Sequence, residues 1–121
     1  MTPDRLHERL FDLHGDLDAI TDNLPAIATY WTIVAGKMSD LAQELKEAIP
    51  GQDYQVFRLF AAHAFGVLEG SVQVLDLVCN SDFDSETLNV IRLVDCAIAG
   101  LVHTLERCFL FDPETEVPTH D

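Results

Sequence analysis

Residues 6–48 read LHERLFDLHGDLDAITDNLPAIATYWTIVAGKMSDLAQELKEA, and their apolar positions decide the fold. Leu6, Leu10, Leu13, Leu17, Ile20, Leu24, Ile27, Trp31, Val34, Met38, Leu41, Leu45 and Ala48 follow one another at alternating steps of four and three. Such spacing keeps one stripe of a helix apolar over many turns, and a helix buries that stripe against other helices. The rest of the chain must therefore supply helical surface for this seam to pack on.

The first helix opens at Thr2-Pro3, a capping hydroxyl followed by a proline at the first helical position, and runs to about Thr21. At Thr21-Asp22-Asn23-Leu24-Pro25 two readings compete. Asparagine and the following proline suit a helix stop and an αα-hairpin. The seam, however, keeps its phase straight through Pro25, which suits one long helix kinked there. A helix of over forty residues is rare, so the balance leans to a break. The second segment, Pro25 to Ala48, carries extra alanines beside the seam and ends at Pro50-Gly51.

The third segment, about Gln52 to Cys79, and the fourth, about Glu86 to Phe109, are apolar on most of their circumference. Asn80 to Ser85 forms the turn between them. Four segments of similar length imply an all-α fold, an antiparallel helical bundle in one domain over 1–111. Residues 112–121, acidic and without a base, are expected to be a mobile, disordered tail.

One stripe per helix suffices for a four-helix core. The third and fourth segments have a second, and Val56, Phe60, Val67, Val74, Leu77, Val94 and Leu101 lead it. Large exposed apolar patches are uncommon on monomers, so this surplus predicts a homodimer or a docking site for another protein. Small residues (Ala61, Ala62, Gly66, Gly70, Ser71) would let a neighbouring helix approach closely.

Apolar residues make up 48% of the chain, yet its formal net charge is −14. That charge argues against direct binding to nucleic acid or anionic membrane and leaves basic proteins as charged partners. Residues 1–24 hold six acids against two bases. Asp4, Glu8, Asp12 and Asp16 form a ladder four apart, a solvated face or an electrostatic docking face. Three cysteines without a CxxC pair suit a reducing, cytoplasmic setting. The uncharged apolar run Cys96 to Val102 is too short to span a bilayer.

Three constellations could carry chemistry. Arg58-Leu-Phe-Ala-Ala-His63 has the Arg-x4-His spacing and resembles the active-site motif of the HEPN ribonucleases, helical bundles that dimerise to pair two such motifs. The resemblance covers six residues and implies catalytic roles for Arg58 and His63; Arg9 to His14 has the same spacing. His7, His14, His63 and His103, with Glu106, fall at similar depth in an up-down bundle and form a candidate metal set. The paired Glu-x-x-His motifs of di-iron bundles are absent, so no cofactor or metal is assigned. Asp95 lies in an apolar line, with Glu69 opposite by hairpin arithmetic and Arg92 near. No glycine-rich phosphate loop or activated-cysteine signature occurs.

The reading that follows is a small acidic, non-enzymatic interaction protein that binds and inhibits another protein, such as a transcriptional regulator. A HEPN-like ribonuclease or a metal-binding bundle is the alternative.

Overall fold

The computed structural model describes residues 1–22, 24–79 and 85–110. Four helices follow one another: α1 (Pro3–Thr21), α2 (Leu24–Ala48), α3 (Gln55–Cys79) and α4 (Ser85–Leu105). A 3-10 turn, Ile49–Gly51, closes α2, and Glu106–Leu110 prolong α4 as a π-helical turn. No strand occurs among the described residues. Of the turn expected at Asn80 to Ser85 and the tail expected at 112–121, only Ser85 lies among them, and it is the first residue of α4.

The first helix starts as its sequence dictates. Thr2 is extended, its hydroxyl accepts from the Arg5 amide at 3.2 Å, and Pro3 takes a position whose amide has no helical partner. α1 stops at Thr21, and α2 returns alongside it. Arg9 meets Glu44, and Lys37 reaches Asp16 at 2.7 Å, so numbers fall on α2 as they rise on α1. The 6–48 seam is thus an antiparallel hairpin rather than one kinked helix. Its unbroken phase reflects two stripes returned to the same core, not a continuous rod.

Around the bundle, α1 packs on α2 and α4, and α3 packs on α2 and α4. The α1–α4 pair is antiparallel too, since His7 meets Glu106 and His14 meets Asp95. The α3–α4 pair closes at one end on Phe109, whose ring lies 5.4 Å from Phe57, 5.6 Å from Phe60 and 6.1 Å from Tyr54. Edge-on ring pairs at such distances add about 0.5–1.5 kcal/mol beyond burial. This is the antiparallel four-helix bundle that the segment lengths imply.

Among the described residues, α1 and α2 supply half of the buried apolar core, nearly all of it from the seam. Leu6, Leu10, Leu17, Ile27, Met38, Leu41 and Leu45 are fully buried, and Leu13, Ile20 and Val34 nearly so. Trp31 and Ala48 are only half-buried. Phe57, Ala64, Leu68 and Leu75 of α3 and Ile91, Ile98 and Leu105 of α4 complete it.

Placement changes for three residues of the surplus stripe. Phe60, Val94 and Leu101 are buried within the single chain, with only a small part of Val94 left to line a hollow between α3 and α4. Each of α3 and α4 touches two neighbouring helices, so each buries a wider arc than a one-stripe count allows. By length and mean hydropathy (1.5), Ser85–Phe109 is the one helical stretch among the described residues that could cross a membrane. One third of its most apolar window is buried in the bundle, and core helices meet the same criterion. The length of the uncharged run alone had understated how apolar α4 is.

Candidate interaction surface

Helical spacing places Val56, Leu59, Val67, Val74 and Leu77 along one side of α3, and Val90, Leu93 and Ala97 along the facing side of α4. Between them runs an open groove of about 430 Å³. It is lined by Gly66, Val67, Gly70, Ser71 and Val74 from α3 and by Val90, Leu93, Val94 and Ala97 from α4. None of these side chains is charged.

The groove exists because the residues between the two helices are small. A Cβ placed on Gly66 or Gly70 would meet no atom of the chain within 4 Å. Larger apolar side chains stand around it. Leu77 is 78% exposed, Leu93 69%, Leu59 64% and Val56 54%. Val74 is also exposed, and Val67 is half-buried. Of the seven residues expected to form an interface, Val56, Val67, Val74 and Leu77 therefore lie at the surface. Leu59 and Leu93 belong with them; Leu77 is the most exposed large apolar residue of α3 and Leu93 of α4.

Charge is kept out of the groove itself; exposed Glu86, four residues before Val90, stands on the same stripe of α4 at its first turn. On α3, Arg58, Glu69 and Asp76 share a different stripe, and Glu69 lines a groove of about 350 Å³ on the α2 side with Gln43 and Gln73. On α4, Asp95 turns toward α1 and bonds His14. A third hollow, about 210 Å³, lies between α1 and α2 beside Tyr30 and Ile33 and is rimmed by Asp16 and Lys37.

The acidic ladder of α1 splits in two. Lys37 of α2 bonds both Asp16, at 2.7 Å, and Asp12, at 3.2 Å. Its ammonium is held above the ordinary lysine value of 10.5, chiefly by the hydrogen bond to Asp16 and then by that to Asp12. Asp4 and Glu8 remain exposed. Arg5 and Arg9, on the same helix, both reach Glu44 of α2. Much of what looks like a docking face in sequence is therefore occupied by intrachain ion pairs.

The chemical constellations come apart in space. Arg58 and His63 are both exposed, but five residues turn the helix through 500°, which leaves them roughly 140° apart. Arg9 is taken by Glu44 and His14 by Asp95, on two different helices. Of the histidine set, His7 Nε2 bonds Glu106 at 2.8 Å, and His14 Nδ1 donates to Asp95 at 2.6 Å. His63 and His103 are exposed. Among the described residues no three of His, Cys, Asp or Glu gather as a metal would require. Asp95 does not face Glu69: its partner is His14, across the bundle from the position that hairpin arithmetic assigned.

Those two histidine–carboxylate pairs were not legible in the sequence. Both bridge α1 and α4, and Phe11, 55% exposed, stands between the histidines with its ring 5.8 Å from His7 and 6.5 Å from His14. The signal was the spacing of His7 and His14, seven apart on one stripe. Their partners depend on how α4 is rotated against α1. Cys96 and Cys108 are free and exposed. Comparison with protein-family models, with curated proteins and with solved structures finds no match for this chain.

Proposed function

We propose that this chain is a non-enzymatic interaction module that works by binding protein through the α3–α4 face. One observation carries the reading: an uncharged groove flanked by Leu77 and Leu93, on a chain of net charge −14. Exposed apolar patches rimmed by polar surface characterise docking sites. Full burial of each such side chain contributes about 1.5–3 kcal/mol before the costs of association. A regulator that inhibits its target by occupying a surface needs no more than this. The Asp4–Glu8 end of α1 is a second, electrostatic contribution to approach by a basic partner.

The test is a photo-crosslinking residue at Leu93 or Leu77 in the source cell, with Gln43 on the α2 side as control. The reading predicts protein adducts from the two leucine positions and not from Gln43. Adducts from none of the three would contradict it. So would an RNA-cleaving activity of the purified chain that is lost in Arg58→Ala, which would shift the function to the ribonuclease class.

A further inference from the structure

We propose that the occupant of the α3–α4 groove is a second copy of this chain, bound face to face about a two-fold axis. The inference rests on the interaction reading above and names its partner.

Charge narrows the choice of occupant. Two copies that each carry −14 repel one another wherever their acids face, so they can meet closely only on a surface without charge. The groove lining is such a surface. A basic partner has the opposite preference and would settle on the exposed acids of α1, where the groove offers it nothing.

Shape agrees with a two-fold pairing. In the second half of α3 a hollow at Gly66 and Gly70 is followed by a ridge at Val74 and Leu77, while the earlier ridge of Val56 and Leu59 lies outside the pairing. A two-fold axis crossing α3 near Val72 runs the two α3 helices antiparallel. It then sets Val74 over Gly70 of the second copy and Leu77 level with its Val67, beside its Gly66. The hollow accepts that ridge without rebuilding, since open space lies where a Cβ on either glycine would be. Each contact occurs twice, as an isologous interface requires.

The area fits a weak, reversible dimer. Pairing about Val72 lays residues 65–79 of one α3 on those of the other, about 22 Å at about 1.5 Å per residue. Two helices side by side, with axes about 8–10 Å apart, make the face about 20 Å wide. Each copy thus offers about 450 Å², and a pair about 900 Å², below the range of permanent interfaces and within that of transient ones.

Sedimentation velocity on the full chain at about 10 µM tests this. A mass of twice 13.5 kDa is expected. The dimer fraction should rise as salt goes from about 50 mM to about 500 mM, because screening relieves the repulsion between acidic copies. Leu93→Glu and Gly70→Leu should each give a monomer of unchanged helix content, while Ile33→Glu, on the far α1–α2 side, stays dimeric. A chain that is monomeric at every salt concentration overturns the proposal. So does a dimer that survives Leu93→Glu, or one that dissociates as salt rises. Protein adducts from Leu93 in the cell that contain only a foreign chain would overturn the self-pairing and leave the interaction reading standing; no adducts would remove both.

Discussion

Along its α1 flank α4 is sealed, and along its α3 flank it gapes. On the first side Leu10, Leu13 and Leu17 of α1 and Ile91, Ile98 and Leu105 of α4 are fully or nearly buried in one core, with His14–Asp95 and His7–Glu106 at its border. On the second, contact is sparser and Gly66, Gly70 and Ala97 leave an open groove. The two flanks belong to one helix of one hydropathy, so apolar character alone does not decide what is buried. Side-chain size at the contact decides it. Leucines facing isoleucines fill a seam, whereas glycines facing an alanine leave it unfilled, and the larger side chains beside them stay exposed.

The largest expected effect lies on the sealed flank. Leu10→Ala should lower unfolding free energy by about 2–5 kcal/mol in urea titrations, the usual cost of a cavity at a fully buried leucine. Leu93→Ala, measured where the chain is monomeric, should change it by less than about 0.5 kcal/mol. Equal losses at both positions would mean that the two flanks do not differ as described.

The polar border of the sealed seam comes next. Asp95→Ala should cost about 1–2 kcal/mol, since the carboxylate is only 13% exposed and its hydrogen bond to His14 is lost. A double-mutant cycle with His14→Ala isolates the coupling; additive losses would show that the pair contributes nothing of its own.

On the open flank the sign reverses. Gly66→Ala should raise monomer stability by about 0.5–1 kcal/mol, because glycine disfavours a helix interior and its Cβ space is vacant. Destabilisation would mean that the groove is narrower than the backbone indicates.

The smallest effect is electrostatic and lies away from both flanks. Lys37 gains its partners Asp16 and Asp12 only on folding, so its folded pKa lies above the unfolded one. Its contribution is fully present below 10.5 and is lost as pH rises through the folded value. The side chain is 45% exposed, so solvent screening keeps this small, at most about 0.5 kcal/mol. Lys37→Gln should therefore lower stability at neutral pH by at most about 0.5 kcal/mol, leave it unchanged above the folded pKa, and so remove this part of the alkaline decline. A large loss at neutral pH would contradict this.

Much of the bundle was readable because a buried stripe repeats at the helical period. The seam from Leu6 to Leu45, the Thr2-Pro3 opening and the ends of α1, α2 and α3 at Thr21, Ala48 and Cys79 all follow from spacing and capping. The candidate site was half readable. The excess apolar character of α3 and α4 was visible, but the sequence does not show the rotation of one helix against another. That rotation turned Phe60, Val94 and Leu101 inward and left Leu59 and Leu93 outside. The same unknown hid the partners of His7, His14 and Lys37. Spacing of seven marks a shared stripe on a helix, yet what stands across from it is a tertiary fact.

The most direct test of self-pairing uses a chain whose three cysteines are replaced by serine. Gly66→Cys and Leu77→Cys versions of it are mixed under mild oxidation. Eleven residues separate the two positions, about 16 Å along α3, whereas a disulfide needs Cα atoms within about 7 Å. Face-to-face pairing about Val72 predicts a mixed disulfide between the two versions and little or none in either alone. Failure of the mixture to cross-link, or equal cross-linking in the separate versions, would contradict it.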